Sequence, residues 1–288
     1  MLKITSLNKT YPNGVKALNH VTLNIGKGIF GLLGPNGAGK SSLMRTIATL
    51  QEADSGSVNF NGIDVLKQKE QIRNILGYLP QEFGVYPRVS AEDLLNHLAI
   101  LKGIVNRKKR NEIVSHLLEV ANLSQHKKKH LGGFSGGMKQ RFGIAQALIG
   151  NPKIIIVDEP TAGLDLGERD RFQNLLSEIS ENITVIFSTH IVSDVSELCN
   201  DMAIIHNGYV LAQMSPRKAI DKLRGKVWKI LLPKAEIESY STKFQVISSR
   251  LQHGKTLLKI YNETHVEGFE STEPNIEDVY FSFIKTYI

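Results

Sequence analysis

The chain has 288 residues, 41% hydrophobic and 22% charged, a composition that excludes collagen-like, disordered and disulfide-stapled chains and leaves room for one large domain or two small ones. Its one cysteine, Cys199, cannot close an internal disulfide, and no apolar run approaches the ~20 residues of a membrane helix. The formal charge is +7, and between Lys102 and His130 eight basic residues face two acidic ones.

Strand-like runs come first, at 4–7, 21–25 and 29–33, the last leading into a glycine-rich turn. A helix is expected over 39–50 from the spacing of Leu43, Ile47 and Leu50, then a strand over 58–60. Residues 88–150 read as a helical insert, with helices over 91–101 (Ser90 as N-cap), 107–123 and 136–149, the last stopped by Gly150-Asn151-Pro152. β-Rich runs at 153–157, 184–188 and 202–206 then alternate with helical stretches, which argues for a mostly parallel sheet. From 226 the character changes to β-prone segments at 227–232, 244–248 and 256–260 and a helix after Pro274. The expected organisation is a domain over 1–225 and a small α+β extension over 226–288, and a chain ending near 224 is expected to keep whatever the first part binds. The N-terminus Met1-Leu2-Lys3-Ile4-Thr5 has no basic segment followed by an apolar stretch, so the expected location is the cytoplasm.

Gly34-Pro35-Asn36-Gly37-Ala38-Gly39-Lys40-Ser41 has the spacing of a phosphate-binding loop, between a predicted strand and a predicted helix. Glycines let backbone N–H groups converge on phosphate oxygens, the helix offers its positive end, and Lys40 adds a full charge. Ser41 is a candidate Mg²⁺ ligand. The apolar run 154–157 ends in Asp158-Glu159-Pro160. Strand ends in such sheets gather at the ligand. Asp158 is therefore a candidate to hold Mg²⁺, and Glu159 to accept a proton from water attacking a γ-phosphate.

Phe134-Ser135-Gly136-Gly137-Met138-Lys139-Gln140-Arg141 resembles the signature of ABC ATPases, with Phe134 where leucine is usual and Met138 where glutamine is usual. Read by itself, Ser135 caps a helix that begins with glycines and makes a second anion site. The resemblance covers about residues 1–220 and implies a P-loop NTPase of ABC type, with an antiparallel N-terminal β part. It also implies ATP and Mg²⁺ as cofactors and a head-to-tail dimer, in which Ser135, Gly136 and Gly137 of one chain close over ATP held by the other. Tyr11 resembles the residue that stacks on adenine. Gln81, in Tyr78-Leu79-Pro80-Gln81, resembles the Mg²⁺-sensing glutamine that links to the membrane partner. Asp165 resembles the dimer-communication loop, His190 in Ser188-Thr189-His190 the switch histidine, and Ser42 stands where threonine is common.

The phrases Gly77-Tyr78-Leu79-Pro80-Gln81-Glu82 and Glu273-Pro274-Asn275-Ile276-Glu277-Asp278-Val279-Tyr280 resemble ATP-binding subunits of ABC-2-type exporters. That implies a transport-coupled ATPase on the cytoplasmic face of the membrane, held there by a separate permease and paired with an identical or a different ATP-binding subunit. Nucleic acid is not the expected partner. The alternative is a soluble ABC ATPase acting on nucleic acid or ribosomes through the basic run at 102–130. Charge alone leaves that run open between a solvated helical face, a nucleic-acid patch and a surface near anionic lipid headgroups.

Overall fold

The computed structural model describes residues 1–286. β1 (Leu2–Thr10) and β2 (Lys16–Ile25) form an antiparallel pair that buries Leu2, Ile4, Leu23 and Ile25. β3 (Gly28–Leu33) runs through the glycine loop into α1 (Lys40–Ile47). β4 (Ser55–Phe60) returns to pair with β1, and β5 (Ile63–Asp64) adds an edge, giving a four-stranded antiparallel sheet in the order β2-β1-β4-β5. α1 does not run to 50. Thr49 takes a left-handed φ of 61° and the Gln51 amide donates to the Ser42 carbonyl, which ends the helix and turns Leu50 out to solvent.

α2 (Lys69–Asn74) and the four-residue β6 (Leu76–Leu79) precede the helical insert. The insert comprises α3 (Ala91–Leu101), α4 (Arg107–Val120) and α5 (Gly136–Ala147), packed around Leu95, Leu118, Phe134 and Phe142. A reciprocal cap starts α3: Ser90 Oγ accepts from the Asp93 N–H and donates to the Asp93 carboxylate. α4 stops at Val120 instead of running to 123, because Asn122 is left-handed at φ 54°; α5 ends at Ala147, short of the expected 149.

Next come β7 (Ile154–Asp158), α6 (Leu166–Ser180), β8 (Thr184–Thr189), α7 (Val192–Leu198), β9 (Asp201–His206), β10 (Tyr209–Met214) and α8 (Pro216–Leu223). The central sheet has the order β10-β9-β3-β8-β7-β6, parallel except where β10 pairs with β9. β7 is buried along its whole length, as its uninterrupted Ile-Ile-Ile-Val run requires of a strand covered on both faces.

The last part contains β11 (Val227–Leu232), α9 (Ile237–Ser241), β12 (Gln245–Gln252), β13 (Lys255–Tyr261), β14 (Glu270–Ser271) and α10 (Ile276–Thr286). Its antiparallel sheet, β12-β13-β11-β14, covers Trp228, Leu258, Ile260 and Phe269. α10 packs on β12 of that sheet and also on α7 and α8, so that Ile276 and Val279 share one core with Ile247, Val195 and Leu223.

Candidate active site

β3, β7 and β8 are parallel neighbours, so the segments that follow them emerge at one edge of the sheet. After β3, Gly37 and Gly39 adopt left-handed φ angles of 79° and 107°. A Cβ on Gly39 would stand 2.2 Å from the Ala17 carbonyl oxygen, and one on Gly34 would stand 2.3 Å from that of Ile205. The loop therefore needs glycine for both conformation and space.

Lys40 opens α1 with its side chain only 4% exposed. Its Nζ donates to the carbonyls of Gly34 at 2.7 Å and Pro35 at 3.1 Å and lies 3.2 Å from Glu159 Oε1. Glu159, 7% exposed, has a left-handed φ of 47° and is pinned by its N–H, which donates to both the carbonyl and Oγ of Ser188. Its second carboxylate oxygen meets His190 Nδ1 at 3.1 Å and Gln81 Nε2 at 3.5 Å. Ser188 Oγ in turn donates to Asp158 at 2.6 Å, so one hydroxyl fixes both acids. Tyr11, whose hydroxyl bonds Ser42 and Gln51, walls a cavity of about 370 Å³ together with residues 36–42, Gln81 and Glu159. Burial, with Asp158 nearby, raises the Tyr78 hydroxyl above its ordinary pKa and keeps it protonated at neutral pH.

Among the described residues no three His, Cys, Asp or Glu side chains gather as a metal cage. The Asp158 carboxylate and the Ser41 hydroxyl beside a phosphate loop suit Mg²⁺, which keeps water and phosphate oxygens in its shell.

Ser135, Gly136, Gly137 and Asp165 lie apart from this cavity, in a second cluster. Ser135 caps α5 by accepting from the Met138 N–H, and Asp165 caps α6 by accepting from the Glu168 N–H. The two helix starts abut: a Cβ on Gly137 would sit 2.2 Å from the Glu168 carboxylate. That carboxylate is held by Arg141 at 3.2 Å.

Asp194, absent from the sequence reading, is fully buried on α7. It accepts from Thr161 at 2.7 Å, Thr189 at 3.2 Å, Arg169 Nε at 2.7 Å and Gln173 at 2.9 Å. It thus ties the segments that carry Glu159, His190 and Asp165 to one carboxylate.

A phosphate loop on a mostly parallel sheet, with a buried lysine and an acid–glutamine–histidine cluster beyond it, defines a P-loop ATPase. Residues 18–162 match the family model for the ABC transporter. The uncharacterized ABC transporter ATP-binding protein YxlF of Bacillus subtilis is 32% identical over 99% of both chains. The bacitracin transport ATP-binding protein BcrA of Bacillus licheniformis is 36% identical over 74% of this chain and 69% of its own. A dimeric post-hydrolysis state of the ATP-binding cassette MJ0796, bound to ADP and Pi, superposes with a TM-score of 0.68 at 28% identity, covering 75% of this chain and 98% of that one. The chain belongs to the ABC transporter family, as an ATP-binding, ATP-hydrolysing subunit.

Proposed function

We propose that two such subunits meet head to tail and power export through a separate permease, at the cytoplasmic face of the membrane. The observation that carries this reading is the separation of the two clusters: Ser135, Gly136 and Gly137 do not line the cavity of their own chain, which supports a second subunit supplying them. Tyr11 stacks on adenine, residues 34–42 wrap the phosphates, and Lys40 meets their terminal charge. Ser41 and Asp158, with Gln81, hold Mg²⁺, which supplies charge neutralisation at the phosphates. Arriving phosphate draws Lys40 away from Glu159 and frees that carboxylate to take the proton of the attacking water. His190 and Gln81 hold Glu159 in position, and Asp165 carries the state of one site across the dimer.

Export is supported by the exporter-like phrases at 77–82 and 273–280, and a transport role by the similarity to a bacitracin transport subunit. Among the described residues no helix is long and apolar enough to cross a membrane, so a permease supplies the path. Its contact is the groove of about 340 Å³ between core and insert, bordered by Leu50, Tyr78, Leu98 and Leu101. Residues 1–225 form the ATP-binding domain and 226–288 an extension.

The test is Glu159→Gln. It keeps shape but removes the base, so hydrolysis falls by at least ~100-fold while ATP still binds. Size-exclusion chromatography then finds a dimer with ATP and a monomer with ADP, and adding Ser135→Arg abolishes the dimer. Parental turnover in Glu159→Gln refutes the base; an ATP-dependent dimer indifferent to Ser135→Arg refutes the shared site.

A further inference from the structure

We propose that the turn between α3 and α4 is a contact surface for anionic membrane lipid. The proposal takes only its orientation from the permease-bound reading above. The basic run that looks continuous from Lys102 to His130 is split by the fold. Lys127 pairs with Glu92 in the first turn of α3, whereas residues 102–110 sit beyond the other end of that helix. Eleven helical residues put about 16 Å between the two groups.

Between Leu101 and Arg110 there are five basic residues and no acidic one. Lys102 and Arg110 are engaged: the first donates to the carbonyls of Arg73 and Leu76, the second to those of Ile104 and Val105 and to Asn96. Those bonds fix the turn and hold two aliphatic side chains outward, Leu101 70% exposed and Val105 77% exposed. Beside them Arg107, Lys108 and Lys109 are exposed, and their side chains make no ion pair or hydrogen bond among the described residues. Glu112, one turn further along α4, is the nearest acid in sequence.

A solvated face has no use for aliphatic side chains fixed in water. Nucleic acid would match the cations, yet 101–110 contains no aromatic residue on which bases could stack. An anionic bilayer matches both features: headgroup phosphates neutralise the three free cations while Leu101 and Val105 enter the interfacial layer. Leu101 and Lys102 also border the core–insert groove, so the patch continues the surface assigned to the permease.

The test is flotation of the full chain with vesicles of phosphatidylcholine, alone or mixed with phosphatidylglycerol, with no permease present. Binding to the mixed vesicles, weakened by salt, is expected, and little to the neutral ones. Reversing Arg107, Lys108 and Lys109 to glutamate should weaken binding by about 100-fold. Leu101→Ser with Val105→Ser should weaken it by about tenfold without changing the salt slope. Lys128→Glu with Lys129→Glu, at the other end of α3, should leave it unchanged. ATP hydrolysis should persist in all variants, which shows that they fold and keeps this result separate from that of the ATPase dimer. The proposal is overturned by failure to bind anionic vesicles, by equal losses from the two charge reversals, or by tighter binding of an RNA oligomer that the 107–109 reversal abolishes.

Discussion

Glu159 holds a left-handed backbone that costs a non-glycine residue about 1 kcal/mol, and two bonds to Ser188 maintain it. Asp194 does the equivalent for the surrounding segments, and its four partners predict what its loss does. Asp194→Asn keeps the shape but replaces one acceptor with a donor and removes the charge facing Arg169, 2.6 Å away. Turnover should fall about tenfold while KM for ATP stays within about twofold, because the cavity itself is untouched. Parallel changes in kcat and KM would mean that Asp194 merely supports the fold. The residues proposed to handle the nucleotide were legible in the sequence because such chemistry would fix their spacing: a lysine after glycines, two acids at a strand end, a histidine after the next strand. Asp194 was not, since Thr161, Arg169 and Thr189 lie on different elements and only sheet order brings them together.

At the level of elements, α10 is held by a cap that its own sequence encodes. Asn275 Oδ1 accepts from the Asp278 N–H and Asp278 accepts from the Asn275 N–H, while Lys259 of β13 donates to both Asp278 oxygens at 3.1 and 2.9 Å. Asp278→Ala leaves the bond from the residue 278 N–H to Asn275 but removes the reciprocal one from the Asn275 N–H and strands a mostly buried lysine, so it should cost about 3 kcal/mol in chemical denaturation. A loss below about 0.5 kcal/mol would mean that neither interaction matters. Elements were readable where one segment contains its own signals: 91–101 from Ser90 as N-cap, 227–232 from its β-prone residues. β6 was missed because four residues show no period, and it is a strand only through pairing with β7. The end of α1 was misjudged because the bond from Gln51 to Ser42 depends on how the chain turns back.

On the scale of the whole molecule, the extension has a core of its own yet lends α10 to the main one. A chain ending at Arg224 keeps every residue of the nucleotide cavity but bares the faces of α7 and α8 that Ile276 and Val279 cover, so it should bind ATP with reduced stability. The same seam gives the molecule two built-in optical and chemical probes. Its single tryptophan, Trp228, is packed inside the extension with its indole N–H on the Asn262 carbonyl, and its single cysteine, Cys199, is buried just past α7. Burial pushes the Cys199 thiol far above its ordinary pKa, so it should resist alkylation at neutral pH until the chain opens. In a guanidinium titration, indole emission follows one side of the seam and thiol labelling the other. Coincident midpoints are expected if α10 welds the two parts into one cooperative unit; an emission change completed at lower denaturant than labelling would show the extension melting alone.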